Sequence, residues 1–166
     1  MTLTRGRQGT SVGDDSAARP GLRWRRLLPL RVVTAGALVV DAGIHRQLVS
    51  RYDPNTAGAL SQGELFRLEA VAALLAATLI LATARWGAWL FALLVAGSAL
   101  GAVLLYRYTD VGALGPLPDM YEPVWYGQKL VAAVAEAVGT LAAGAGLFIT
   151  LRSRKASRGL RRKVAG

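Results

Sequence analysis

The amino-acid sequence predicts an all-α protein, a bundle of four helices that cross a membrane. Three observations carry this prediction: the mean hydropathy is +0.36, 53% of the 166 residues are hydrophobic, and the apolar residues collect in four long segments. A helix needs about 20 apolar residues to cross a hydrocarbon layer of about 30 Å, and lipid leaves no other partner for its backbone groups. The predicted helices cover about 29–49, 65–84, 86–106 and 129–151.

The segments that flank this membrane domain have a different composition. Residues 1–28 are rich in Gly, Ser, Arg and Asp without an apolar period, which predicts a disordered basic tail. Residues 152–166 form a second basic tail directly after the fourth helix. A net charge of +10 is typical of proteins that bind nucleic acid, but the apolar segments are too long for that interpretation, and no nucleic-acid partner is expected.

The distribution of Lys and Arg predicts that both termini lie in the cytoplasm. Seven of the 20 basic residues fall in 1–31 and seven in 152–163, and Arg85 occupies the short link between the second and third helices. The two longer loops face the opposite side by the positive-inside rule. Anionic lipid headgroups attract basic side chains next to a membrane helix. The expected headgroup contacts are Arg152, Arg154, Lys155 and Arg158.

Four ionisable residues inside the predicted helices are the most informative: Asp41, His45, Glu69 and Glu136. Each costs roughly 2.5–3.5 kcal/mol on insertion scales, so such residues normally face protein or water. At about 1.5 Å per residue, all four fall in the outer half of the bilayer. Asp41 and His45 share a helix face because they are four residues apart. We therefore predict a polar cluster that joins three helices.

Three roles fit such a cluster. The side chains can pair with basic residues at the outer rim, namely Arg46, Arg67, Arg107 and Lys129, in a non-enzymatic accessory or structural membrane component. They can move protons or ions in a small coupled transporter. They can also belong to a metal- or quinone-linked redox component, since His and carboxylates bind manganese, iron or zinc. The first role is preferred, because His45 is the only histidine and no known metal motif accompanies it.

No catalytic motif is present, and no cofactor is required by the sequence. The absence of cysteine excludes disulfides and thiolate metal ligands. The nature of any metal stays open. Apart from the lipid bilayer, the partner is also open between a second membrane protein and a second copy of the chain.

The loop before the fourth helix places acids beside aromatics, which is more typical of an interfacial anchor than of a lid over the cluster. The residues concerned are Asp119, Tyr121, Glu122 and Trp125. Small residues allow helices to approach closely in lipid. We expect Gly97, Gly101 and Gly144 to pack within the bundle, with a dimer seam as the alternative.

Four short motifs resemble a group of uncharacterised four-span membrane proteins from actinobacteria. They are Gly43-Ile44-His45, Glu64-Leu65-Phe66, Glu122-Pro123 and Ala135-Glu136-Ala137. The resemblance covers about residues 30–150, and the overall plan is more weakly similar to the DoxX-like four-helix membrane proteins. It implies a multi-pass protein of a bacterial plasma membrane and transfers no functional residue. The association of DoxX-like proteins with redox partners favours a redox role, whereas the lack of cysteine and of haem or flavin motifs disfavours it.

Overall fold

The structure is a computed structural model that describes residues 20–55, 59–83 and 85–164, with side chains described within 27–157 of those ranges. It contains α1 (Pro20–Tyr52), α2 (Gln62–Thr83), α3 (Trp86–Tyr108) and α4 (Gly127–Val164). Within the described ranges there is no strand, and each helix is long and apolar enough to span a membrane. The prediction of an all-α bundle of four such helices is therefore confirmed.

The helices reach further into the tails than the sequence analysis predicts. α1 begins at Pro20, so 20–28 are helical, not disordered; proline is well suited to the first turn of a helix. α4 continues through 152–164, because the Arg, Lys, Leu and Ala residues of this segment are good helix formers. The rest of the predicted tails, 1–19 and 165–166, lies outside the described residues. With 38 residues, α4 is roughly 57 Å long and therefore exceeds an apolar layer of about 30 Å.

A capping box starts α2 three residues before the predicted start at Leu65. The Glu64 amide donates to Ser61 Oγ at 3.0 Å, and the Ser61 amide donates to Glu64 Oε2 at 2.7 Å. These two bonds satisfy amide groups that a helix start leaves without a partner. The other end of α2 is held by α1, because Arg31 donates through Nε to the Ile80 carbonyl at 2.9 Å and through its terminal nitrogen to the Leu81 carbonyl.

The four helices do not pack equally against one another. α1 packs extensively against α2 and α4, and α3 packs against α4, whereas α2 and α3 touch over a smaller area. Arg85 lies in the short link between α2 and α3, at the end of the bundle opposite the two longer loops. The smaller contact therefore leaves room between α2 and α3 toward the opposite, loop-bearing end.

Alanine dominates the buried core, and the largest fully buried side chain is Trp89 of α3. Small side chains bring helix backbones close together, which is the main source of packing energy in lipid. Gly146 of α4 lies directly under the Trp89 ring, where a Cβ atom has no room. The sequence analysis did not identify this contact.

The three predicted packing glycines differ in their surroundings. A Cβ atom on Gly97 would lie 3.9 Å from Thr140, and one on Gly144 would lie 3.9 Å from Leu93, both ordinary contact distances. Gly101 would meet no atom within 4 Å. Gly97 and Gly144 thus lie between α3 and α4, and Gly101 does not face another helix of the bundle.

Candidate functional site

Three of the four predicted polar residues meet in the half of the bundle that carries the two longer loops. Asp41 and His45 lie on one face of α1, and Glu136 approaches them from α4. One ligand atom from each residue lies within 4.8 Å of the others. His45 Nδ1 lies 2.9 Å from Asp41 Oδ1 and 3.1 Å from the Asp41 carbonyl oxygen. We call Asp41, His45 and Glu136 the buried cluster.

The buried cluster is shielded from its surroundings. Asp41 and Glu136 are each 1% exposed and His45 is 7% exposed. The Glu136 carboxyl lies within hydrogen-bond reach of the Asp41 carboxyl, and neither of its oxygens accepts a bond from an N–H or hydroxyl donor among the described residues. An ionised carboxylate in such surroundings is costly unless a positive charge or a hydrogen-bond donor reaches it. The geometry therefore suits a bound cation or a bound proton.

Glu69, the fourth predicted residue, approaches from α2 and lies in the wall of a cavity of about 500 Å³ beside the buried cluster. His45 lies in the same wall, so it belongs to both the cluster and the cavity. The His45 ring also makes an edge contact with Phe66, with ring centroids 5.1 Å apart. One oxygen of Glu69 is buried without a hydrogen-bond partner among the described residues. Glu69 thus extends the acidic character of the cluster toward the cavity.

A network of polar side chains lies at the loop-bearing end of the cavity, where Glu122, Tyr126 and Lys129 line it. The Tyr52 hydroxyl at the end of α1 donates to the Glu122 carboxylate, with distances of 2.9 and 3.0 Å to its two oxygens. The Tyr126 hydroxyl lies 3.0 Å from the Tyr52 hydroxyl. Lys129 donates to the Glu122 carbonyl at 2.6 Å. Burial, and then the Glu122 carboxylate, raise the pKa of Tyr126, so its phenol stays protonated as a donor.

Backbone bonds fix the same loop to the rest of the molecule. The Glu122 amide donates to the Tyr106 carbonyl at 3.1 Å, and the Leu60 amide donates to the Pro116 carbonyl at 3.1 Å. The Asn55 side chain donates to the Asp119 carbonyl at 2.9 Å. The two outer loops are therefore tied together. We call 117–122 the cap, because Leu117, Met120 and Glu122 line the cavity from above.

The four predicted outer-loop residues take different positions in the structure. Glu122 lies at the cavity, whereas Asp119 and Tyr121 are exposed and are joined by a bond from the Tyr121 amide to Asp119 Oδ1 at 3.0 Å. Trp125 is partly exposed, and the guanidinium of Arg107 lies 5.6 Å from the centre of its ring. Glu122 has the position of a lid residue, and Trp125 has the position that an interfacial anchor requires.

The basic residues at the end of the α4 span point away from the core. Arg152, Arg154 and Lys155 are exposed, and the side chain of Arg158 lies outside the described part of the chain. The Arg152 guanidinium lies 4.3 Å from the centre of the Phe148 ring, and the Arg154 guanidinium lies 5.8 Å from that of Trp86. These contacts place cationic groups beside the apolar surface, as headgroup contact requires.

Several residues of the site were not identified from the sequence. Tyr52 and Tyr106 stand near the ends of apolar helices, where tyrosine is ordinary, and Phe66 has no polar feature at all. Lys129 was assigned only to the outer rim, yet it is 8% exposed and bonded to the cap. The one available signal was Ser61-Gln62-Gly63-Glu64, a capping-box pattern that places α2 and its residues correctly.

Replacing Tyr52 with Phe is expected to loosen the cap without unfolding the bundle. The change removes the hydroxyl that bonds Glu122, and a bond to a charged group contributes about 1.5–3 kcal/mol. Since 1.4 kcal/mol corresponds to a factor of ten, backbone amides of the cap should exchange hydrogen at least about tenfold faster. Hydrogen exchange followed by mass spectrometry measures this rate. Tyr121→Phe is the matched control; equal exchange in the two variants would contradict the assignment.

Comparison with protein-family models, curated proteins and solved structures gives no match to this chain. The resemblance to the actinobacterial four-span proteins therefore stays a prediction.

Proposed function

We propose that this membrane protein binds a divalent transition-metal ion within its helix bundle, and that Asp41, His45 and Glu136 are the ligands. One observation carries the proposal: three side chains with metal-binding atoms, from two helices, meet in a buried position with ligand atoms within 4.8 Å of one another. His nitrogen and carboxylate oxygen together suit zinc, iron or manganese. Three protein ligands leave a coordination position for water or a substrate.

A purely structural role for the cluster is less consistent with its contacts. A packing role requires that buried polar atoms bond one another, because an unsatisfied buried group costs about 1–3 kcal/mol. Both Glu136 oxygens lack an N–H or hydroxyl donor within the described part of the chain, and the side chain within hydrogen-bond reach, Asp41, is a second carboxyl. Arg46, expected as a rim partner, is exposed, and Arg67 instead bonds Asp53 at 2.6 Å. His45 can pair with the Asp41 carboxylate, so a further positive charge is needed to balance an ionised Glu136, and a divalent cation supplies it.

The proposal is tested by metal analysis of the protein in detergent. Metal-free protein is incubated with Mn²⁺, Fe²⁺ or Zn²⁺ in turn, passed through a desalting column and measured by mass spectrometry of the elements. The expected result is about one retained ion per chain for at least one metal, released by a chelator. Retention of none of the three ions would overturn the proposal.

Movement of protons is a second candidate function, and one observation favours it. Glu69 and His45 both line the cavity, so titratable groups extend from the buried cluster into that space. A chain of such groups can pass a proton from one to the next. The measurement is proton flux into proteoliposomes that contain the metal-free protein. Flux that is lost in Glu69→Gln would support proton movement independently of metal binding.

The proposed location is the plasma membrane of a bacterium, with both termini in the cytoplasm. This proposal rests on the Lys and Arg distribution, and the absence of cysteine makes its test clean, because single cysteines can be introduced. A membrane-impermeant maleimide should label Ala113→Cys in the outer loop of intact cells. It should label Ala156→Cys near the end of α4 only after the membrane is permeabilised. The reverse pattern would contradict the orientation.

A further inference from the structure

The cavity beside the buried cluster has the size and the walls of a binding site for an apolar molecule. Its volume of about 500 Å³ falls within the roughly 300–1,000 Å³ of small-molecule pockets. Most of its wall is formed by aliphatic and aromatic groups, among them Leu65, Phe66 and Val103. A water-soluble polar ligand would find few partners there. The walls favour a ligand that is itself soluble in lipid.

Residues of both α2 and α3 line the cavity within the apolar spans, so the gap between these two helices is its expected entrance. Leu68 of α2 and Ala102 of α3 line the cavity and are also exposed on the outer surface of the bundle. From above, the cap closes the cavity and is tied down by the Tyr52–Glu122 bonds. The opening therefore faces the acyl chains of the bilayer rather than the aqueous phase, and an extended apolar chain can lie in it.

Two polar groups in the cavity wall have no partner among the described residues. The Tyr106 hydroxyl is buried and unbonded, and so is one oxygen of Glu69. Buried polar groups are nearly always bonded, so these two atoms indicate a ligand that offers hydrogen-bonding atoms. His45 lies in the same wall. The polar end of a ligand would therefore lie between α2, α3 and α1.

The charges in the cavity wall determine which polar head group a ligand can have. Glu69 and Glu122 both face the cavity, and the ammonium of Lys129 is already 3.6 Å from a Glu122 oxygen and bonded to the Glu122 carbonyl. A phosphate or sulfate head would thus meet these carboxylates, because Lys129, the only Lys or Arg among the described lining residues, is already paired, and a divalent ion in the buried cluster would be balanced by Asp41 and Glu136. An uncharged head fits better: a hydroxyl can donate to the Glu69 oxygen and accept from the Tyr106 hydroxyl, and a carbonyl oxygen can accept from the Tyr106 hydroxyl.

We propose that the cavity binds a lipid-soluble, single-chain amphipath that has an uncharged hydroxyl or carbonyl head, with the head at His45, Glu69 and Tyr106 and the chain leaving between α2 and α3. The proposal deepens the proposed function and rests on it in one respect: because His45 is both a proposed metal ligand and part of the cavity wall, the head of the ligand would lie next to the metal ion. Quinones and long-chain alcohols share this chemistry.

The test uses the full-length protein in lipid nanodiscs and three probes: decylubiquinone, dodecanol and dodecyl phosphate. We expect saturable binding of decylubiquinone, dodecanol or both, and no saturable binding of dodecyl phosphate. The uncharged probe that binds then shows whether the head group is a quinone or an alcohol. Tyr106→Phe should weaken that binding about tenfold, the equivalent of one hydrogen bond of about 1.4 kcal/mol. Ala102→Phe should abolish it by filling the opening, whereas Ala82→Phe, on the exposed inner part of α2, should not.

The proposal is overturned if neither uncharged probe binds saturably, or if Ala102→Phe and Ala82→Phe bind equally well. Metal content is measured on the same samples, which separates the two proposals. Retained metal without probe binding would reject the cavity ligand alone, and probe binding without retained metal would reject the metal site alone.

Discussion

Replacing Glu136 with Gln is expected to weaken metal binding by at least about 10- to 100-fold, the loss that even an outer-shell change causes at metal sites. The substitution keeps the size of the side chain but removes its negative charge, and a neutral amide oxygen is a poorer ligand for a divalent ion. Because Gln can also be buried without ionisation, the bundle should stay folded. Titration of metal-free protein with the ion retained in the loading experiment measures the affinity.

Glu64→Gln is the matched control for this change. Glu64 is exposed at the start of α2, and a glutamine there still offers an oxygen to the Ser61 amide. Its metal affinity should equal that of the unchanged protein. If Glu136→Gln and Glu64→Gln bind the metal equally well, the ion lies elsewhere.

Replacing Gly146 with Ala is expected to destabilise the protein by roughly 2–3 kcal/mol, at the upper end for overpacking in a core. The added Cβ atom would overlap the six-membered part of the Trp89 ring, which is fully buried and rigid. Either the ring or the α3–α4 contact must shift. Unfolding in a denaturing detergent, followed by circular dichroism, measures the loss.

Gly36→Ala provides the control, because a Cβ atom on Gly36 of α1 meets nothing within 4 Å. Alanine is preferred to glycine in helices by about 1 kcal/mol, so this variant should be as stable as the unchanged protein or slightly more stable. An equal loss of stability in both variants would contradict the packing of Gly146 against Trp89.

The fold could be predicted because its signals are local. Segment lengths and hydropathy depend only on neighbouring residues, and lipid permits few backbone conformations. The helix ends were less predictable. The sequence prediction stopped α4 at 151, where hydropathy falls, but the backbone hydrogen bonds continue through basic residues that also form helices well.

The meeting of Asp41, His45 and Glu136 could be anticipated from depth, since all three residues were placed in the outer half of the bilayer. Depth does not reveal which face of each helix points into the bundle. Gly101 shows this, because it was expected to pack within the bundle but faces no neighbouring helix. The cavity depends on how far α2 and α3 separate, and the cap depends on long-range bonds such as that between Tyr52 and Glu122. Neither has a local sequence pattern.

X-ray absorption spectroscopy of the zinc-loaded protein tests the central claim most directly, because it reports the atoms around the metal. The buried cluster predicts one imidazole nitrogen at about 2.0–2.1 Å and carboxylate oxygens at about 2.0–2.2 Å, in four-coordinate geometry. In Glu136→Gln this signature should be lost or should show fewer oxygen ligands. A spectrum with no imidazole contribution, unchanged by the substitution, would show that Asp41, His45 and Glu136 do not hold the ion.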